Sequence, residues 1–156
     1  MAAVILLATG ACKKSDTTAN TSGKSTWTLG GTSYTTVFSY RNVTGGGSSN
    51  TLLSFYDSIP SGSNPNVNSV NFTFNTAPTA SGTYQLSGTV GGTLTATQCE
   101  LSAGGAGKSY AYIGTPVNIT VTVTGGKITI VVPEITLKST VSGTADAKLS
   151  ASVTEI

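Results

Sequence analysis

Six carboxylates are the side chains of this 156-residue chain with the clearest capacity for acid–base chemistry. Two carboxylates that a fold brings together can hydrolyse a glycosidic bond. No spacing among the six predicts such a pair, and charges on strand faces are usually solvated or protect a sheet edge. The six are Asp16, Asp57, Glu100, Glu134, Asp146 and Glu155.

Histidine is absent from the sequence, which removes the commonest general base and the commonest transition-metal ligand. Serine and threonine are abundant, but a hydroxyl nucleophile needs a base beside it to react. We therefore predict that the chain is not an enzyme and that it has no catalytic residues, no cofactor and no tightly bound metal.

Residues 57–66 offer oxygen ligands of the kind that calcium prefers, from Asp57 and from several serine and asparagine side chains. One carboxylate is too few for tight calcium binding, because affinity rises with the number of charged ligands. A solvated loop is the alternative interpretation of the same residues, and the sequence favours it.

Two cysteines are present, Cys12 and Cys99. Cys99 follows Ala96 and Thr97 and precedes Leu101, a setting typical of a small core residue or an unreactive thiol. Cys12 ends an apolar run that is too short to span a bilayer and is typical of an export signal. A disulfide between the two cysteines is the alternative for a protein without a lipid anchor.

The residues before Cys12 resemble a bacterial lipobox, in which small side chains precede a cysteine that is lipidated and becomes the mature N-terminus. The matching residues are Leu7-Ala8-Thr9-Gly10-Ala11-Cys12. The resemblance implies a diacylglyceryl group on the Cys12 sulfur and an acyl chain on its amine. Two or more acyl chains anchor a protein stably in a membrane. The globular part resembles no family that we can name.

Three segments follow from this interpretation. Residues 1–11 are a signal peptide whose positively charged n-region is truncated, and residues 12–25 are the lipidated cysteine with a flexible tether, since 13–25 contain no large apolar side chain. Residues 26–156 are expected to form a single β-sandwich domain. The charged residues 13–16 resemble the surface-export signals of lipoproteins in the Bacteroidota. We therefore expect a cell envelope protein, lipid-anchored in the outer membrane at either its periplasmic or its surface face.

The net charge of +2 and the single arginine, Arg41, argue against nucleic acid as a partner. Nucleic-acid binding needs clustered Lys and Arg, and bidentate phosphate recognition needs arginine. The partners that we expect are the membrane, through the lipid, and a polysaccharide or another envelope protein.

Residues 117–132 carry the clearest strand pattern in the chain. Branched apolar residues alternate with Thr and Asn before Gly125-Gly126, and the alternation resumes at Ile128. A period of two predicts a strand with one buried face, and a Gly-Gly pair suits the positive φ angles of a type I′ hairpin turn. We therefore predict a central hairpin, with Pro133 marking an edge or a bend.

The remaining pattern predicts about nine or ten short strands and little or no helix. One of the predicted strands runs from Thr32 to Tyr40, and another, opened by Gly91-Gly92, covers residues 93–101. Such spacing favours an all-β domain with an antiparallel sandwich of two sheets, and a small closed barrel is the alternative.

Four aromatic residues lie near predicted strand ends or loops, and exposed aromatic rings can stack on a sugar. The alternative is that these rings fill the core, where aromatic side chains bury the most area. The overall expectation is an envelope protein with a structural or binding role, and a carbohydrate-binding or adhesive module is the second hypothesis. The four candidates are Trp27, Tyr34, Tyr40 and Tyr56.

Overall fold

The computed structural model describes residues 24–43, 50–62 and 67–156, which form an all-β fold without helix. None of these described residues belongs to a helix that is long and apolar enough to cross a membrane. The first six strands are β1 (Thr26–Leu29), β2 (Thr32–Thr35), β3 (Phe38–Val43), β4 (Thr51–Tyr56), β5 (Ser69–Phe74) and β6 (Gly82–Leu86). The others are β7 (Gln98–Gly105), β8 (Lys108–Ala111), β9 (Val117–Thr124), β10 (Lys127–Ser139) and β11 (Ala147–Thr154).

These strands form one sheet in the order β2-β1-β11-β10-β9-β6-β7-β5-β4-β3, and β8 bridges β7 and β10. The bridge closes a ring of five strands, so the fold is a small barrel extended by further strands on both sides. The prediction of an all-β domain is confirmed, and the closure corresponds to the barrel alternative. One pair, β6 with β7, is parallel, and the other pairs between described strands are antiparallel.

The predicted hairpin is the pair β9–β10, joined by Gly125 and Gly126 with φ angles of 59° and 78°. Both angles lie in the left-handed region, where glycine has no steric penalty, as a type I′ turn requires. Ile119 and Val121 are buried, while the threonines between and after them are exposed. The alternation in the sequence therefore marks the two faces of the strand correctly.

Pro133 bends β10 rather than ending it. The pairing of β10 with β11 shifts register between Val132 and Ile135, which is a β-bulge. Proline has no N–H to give to a ladder, so it is tolerated in a strand where the ladder is interrupted. Pairing with β9 ends at Val131, and beyond the bend β10 pairs with β8 from Lys138.

The sheet folds back on itself so that its two ends meet. Its end strands, β2 and β3, are consecutive in the chain and are separated by Thr36 and Val37 alone. A segment this short spans about 11 Å at most. The Ile156 N–H, in the segment after β11, donates to the Ser39 hydroxyl of β3 (2.8 Å). We call this contact between β3 and the residues after β11 the seam.

The inner faces of the strands share one hydrophobic core. Phe55 and Phe72 meet edge to face in it, with ring centroids 6.2 Å apart, and neither ring is exposed to solvent. Side chains from β1, β9, β10 and β11 enter the same cluster as those from β4, β5 and β7. The outer faces of these two groups of strands therefore lie on different sides of a common core.

Two predicted strands are wrong. The strand predicted from Thr32 to Tyr40 is broken at Thr36 and Val37, where the chain passes from one end of the sheet to the other. Gly91-Gly92 does not open a strand, since β7 begins only at Gln98. The first error arises because β2 pairs back with β1 while β3 pairs forward with β4, so one alternating segment is divided between two hairpins.

Candidate functional site

The Asp57 carboxylate closes a loop through hydrogen bonds within the protein. One of its oxygens accepts the Asn68 N–H (2.9 Å), and the other accepts the Asn68 side-chain amide (2.7 Å). The Asp57 N–H donates in turn to the Asn68 carbonyl (3.1 Å). These bonds assign the carboxylate a structural role, which favours the loop interpretation over calcium. Residues 63–66 of the predicted calcium segment lie outside the described residues.

The other carboxylates of the described strands and loops each bind a separate partner within the protein. The Asp146 carboxylate accepts hydrogen bonds from the Lys138 ammonium and from the Ser139 N–H. These bonds hold the pKa of Asp146 below its ordinary value. Within residues 24–43, 50–62 and 67–156, no three acidic or cysteine side chains cluster as metal ligands. The remaining partners are the Gly92 N–H for Glu100 (3.1 Å), Lys148 for Glu134 (2.6 Å) and Arg41 for Glu155 (2.8 Å).

Cys99 lies on β7 with no exposed surface and no disulfide partner among the described residues. Burial, with a smaller contribution from the charge of Glu100, raises the pKa of its thiol to about 12. The thiolate is the reactive form of cysteine, so this thiol is inert at neutral pH. Cys12 and the charged residues 13–16 lie outside the described residues.

We expect the Cys99 thiol to make the protein less stable at alkaline pH. A raised folded-state pKa contributes stability that is complete below the ordinary value of 9.0 and is lost as the pH rises through about 12. Each unit of pKa difference corresponds to about 1.4 kcal/mol, which sets a maximum loss of about 4 kcal/mol from this group. Urea unfolding between pH 8 and about pH 11 would measure the loss.

The matched control is Cys99→Ala, which removes the ionising group and fills part of the same space. The alkaline loss of stability should be smaller in Cys99→Ala than in the parent chain. Parallel pH profiles for the two proteins would contradict the assignment. Maleimide labelling of a Cys12→Ser chain provides a second measurement, since the buried thiol should react only when the protein unfolds.

Trp27 and Tyr34, two of the four stacking candidates, do not form an exposed surface. Trp27 is 1% exposed and stacks on Tyr34 with ring centroids 5.4 Å apart and planes inclined by 21°. The Trp27 indole N–H has no hydrogen-bond partner in the described structure. Tyr34 is half-buried against the core. Trp27 is therefore a core residue, and its assignment as a stacking candidate is corrected by its burial.

Tyr40 and Tyr56 do lie close together, on the outer face of β3 and β4. Tyr56 is paired with Phe38 across the two strands, and their ring centroids are 5.9 Å apart. Tyr40 shares the Phe38 side of β3 and is 48% exposed. Leu52, on the same side of β4, is half-buried. We call Phe38, Tyr40, Leu52 and Tyr56 the aromatic face.

Two polar side chains lie beside the aromatic face, Ser54 on β4 and Asn71 on β5. Ser54 is paired with Tyr40 on one side and with Asn71 of β5 on the other. The Ser54 hydroxyl is buried and has no hydrogen-bond partner in the described structure, whereas the Asn71 amide donates to the Ser69 hydroxyl (3.1 Å). The Ser54 hydroxyl is not accessible to a ligand, but the half-buried Asn71 amide can bond the edge of a sugar whose flat side packs on the exposed Tyr40 ring.

Phe38 and Leu52 were not among the candidates from sequence, although both belong to the aromatic face. The alternation places Phe38 with Tyr40, but an unbroken strand also places Tyr34 there, and the break at Thr36 separates them. Comparison of the chain with protein families, curated proteins and solved structures finds no match.

Proposed function

We propose that this protein is a lipid-anchored component of the bacterial cell envelope with a binding or structural role rather than a catalytic one. The lipobox-like residues that end at Cys12 carry this proposal. Thirteen residues, 13–25, separate Cys12 from the first residue of β1 at Thr26. A fully extended segment of that length spans about 45 Å at most, which limits the distance between the membrane and the β-domain.

The anchor is tested by metabolic labelling with an alkyne fatty acid in a bacterial host. The parent chain should incorporate the label, and Cys12→Ala should not, because the lipid is attached to that sulfur. Cys99→Ala is the matched control and should be labelled like the parent. Equal labelling of Cys12→Ala and the parent, or no label on either, would contradict the anchor.

We propose further that the aromatic face binds a neutral saccharide. The observation that carries this is the 48% exposure of Tyr40 beside the half-buried Phe38–Tyr56 pair, since an exposed aromatic ring offers a flat apolar surface to a sugar ring. No lysine or arginine side chain belongs to this face as defined, which argues against an anionic ligand. The face therefore suits the packing of a sugar ring against aromatic side chains.

Tyr40→Ala should weaken saccharide binding by about 3- to 10-fold, the equivalent of one aromatic contact of about 0.5–1.5 kcal/mol. Affinity electrophoresis of the Cys12→Ser chain through gels that contain glucan, xylan or mannan would measure this. Val90→Ala is the control, because Val90 is an exposed apolar residue in the loop after β6 (61% exposed). Retardation by none of the three polymers, or equal retardation of Tyr40→Ala and the parent, would overturn the proposal.

A further inference from the structure

A second concave surface lies on the outer face of β1, β9, β10 and β11, away from the aromatic face. It forms where β10 bends at Pro133 and leaves β9, since the last pair between these strands is Val131 with Thr120. The resulting groove has a volume of about 750 Å³, within the range of about 300–1,000 Å³ that is typical of ligand pockets. We call it the outer groove.

The lining of the outer groove is uncharged. No Asp, Glu, Lys or Arg is among the residues that line it. Val131, which is 42% exposed, and Pro133 provide an apolar strip along β10, and the buried Trp27, Ile119, Val132 and Ala151 also belong to the lining. The polar groups are hydroxyls and one amide, from Thr26, Thr28, Ser33, Ser150, Ser152, Thr120 and Asn118.

The strand register aligns these hydroxyls in rows across the groove. Thr26 is paired with Ser152, which is paired with Val131, which is paired with Thr120. A second row begins with Thr28 and Ser150, whose hydroxyls are 2.8 Å apart. Adjacent strands are about 4.8 Å apart, so a row that crosses four strands is about 14 Å long. The distance of about 4.8 Å between adjacent strands is close to the length of one sugar unit in an extended polysaccharide.

This chemistry selects among possible ligands. An anionic ligand would find no positive charge in the lining, so it gains nothing there that water does not provide. An acyl chain would cover the rows of hydroxyls without returning hydrogen bonds, which is unfavourable for each group that loses water. A neutral sugar chain provides both C–H surface for Val131 and Pro133 and hydroxyls for the rows.

We propose that the outer groove binds a segment of about three sugar units of a neutral polysaccharide, running across the strands from β1 to β9. It is a second saccharide site, separated by the core from the aromatic face, so one molecule has two faces with which to hold polymer. The site does not depend on the aromatic face, and each can fail without the other.

The test uses the full chain with Cys12→Ser and amide chemical shifts measured by NMR. The probes are neutral β-linked hexasaccharides of glucose, mannose and xylose, with hexagalacturonate as the charged comparison and laurate as the acyl-chain comparison. At least one neutral probe should shift the amides of residues 118–120, 131–132 and 150–152. Thr120→Glu should weaken that binding by about tenfold or more, because it removes a hydroxyl and adds a charge inside the groove.

Thr122→Glu is the matched control, with the same substitution two residues away on the same exposed face of β9 but outside the groove. For Thr122→Glu and Tyr40→Ala, the affinity read from the groove amides alone should be within about twofold of the parent, a difference below about 0.5 kcal/mol. No shift in the groove with any neutral probe, or equal binding by Thr120→Glu and Thr122→Glu, would overturn the proposal. Groove shifts with laurate but with no sugar would also overturn it. Loss of the aromatic-face interaction alone would leave it intact.

Discussion

Replacement of Ile130 by alanine is expected to lower the free energy of unfolding by about 2–5 kcal/mol. Ile130 lies in the middle of β10 with no exposed surface. It is paired with Val121 of β9 on one side and with Val153 of β11 on the other, and both of these residues are also fully buried. Truncation removes apolar area and leaves a cavity that neighbours held by two ladders are poorly placed to fill. Urea denaturation followed by circular dichroism would measure the loss.

Val131→Ala is the matched control, because Val131 is the next residue of the same strand but points outward and is 42% exposed. Its truncation should cost less than about 1 kcal/mol, mostly through the lower β-propensity of alanine. Equal losses for the two variants would mean that the alternation along β10 does not decide which side chains form the core.

The contrast between these neighbours also explains why β9 and β10 could be predicted from sequence. Side-chain direction in a strand alternates residue by residue, so the local sequence pattern is enough to identify the buried face. The turn at Gly125-Gly126 is also local, because it depends on two residues that tolerate positive φ. The hairpin needed no information from elsewhere in the chain.

The closure of the barrel could not be predicted in the same way. It depends on the parallel pairing of β6 with β7 and on β8, which joins β7 to β10. Both pairings bring together edges whose partners no local pattern specifies. The sandwich and the barrel contain strands with the same alternation, and the sequence therefore left both possibilities open.

The prediction of the candidate site was also limited because local patterns do not specify which strands pair. Tyr34 and Tyr40 fit one continuous strand in the sequence, but they lie on β2 and β3 at opposite ends of the sheet order. Trp27 follows the apolar period of β1 into the core, where it meets Tyr34. Only Tyr40 and Tyr56 remained together, because the antiparallel pairing of β3 with β4 brings them to one face.

Arg41 shows a further role that composition alone did not indicate. As the single arginine it argued against phosphate recognition, yet the structure gives it a structural role at the seam. Its Nε donates to one Glu155 oxygen (2.8 Å), and its Nη2 donates to the other oxygen and to the Gly126 carbonyl (3.0 Å). The hydrogen bond with Glu155 raises the pKa of Arg41 above its ordinary value. The partners are 114 residues apart in sequence.

Arg41→Ala is expected to lower the free energy of unfolding by about 1–3 kcal/mol, the range for a hydrogen-bonded charge that loses its partner. The Glu155 side chain is only 12% exposed, so its carboxylate would be left poorly solvated. The same carboxylate accepts the Ile128 N–H (2.7 Å), and this bond connects the end of the chain to the start of β10. Urea denaturation at low and high salt would measure the change.

Arg41→Lys separates charge from geometry. A lysine keeps the positive charge but cannot bind both Glu155 oxygens and the Gly126 carbonyl with one planar group, so it should recover less than half of the loss. Lys148→Ala is the control for an ordinary surface ion pair, because Lys148 and Glu134 are 69% and 63% exposed. That variant should show no measurable change in stability, since exposed pairs gain little over solvation.

The contact at the seam also predicts how the effects of two substitutions combine. If Arg41 holds β3 to the segment after β11 through Glu155, then the losses from Arg41→Ala and Glu155→Ala should not add. The double variant should be less destabilised than the sum of the two single variants, with a coupling of about 0.5–3 kcal/mol. Strict additivity would mean that each side chain stabilises its own strand independently. The closure of the sheet would then depend on the two-residue link at Thr36 and Val37 and on the shared core.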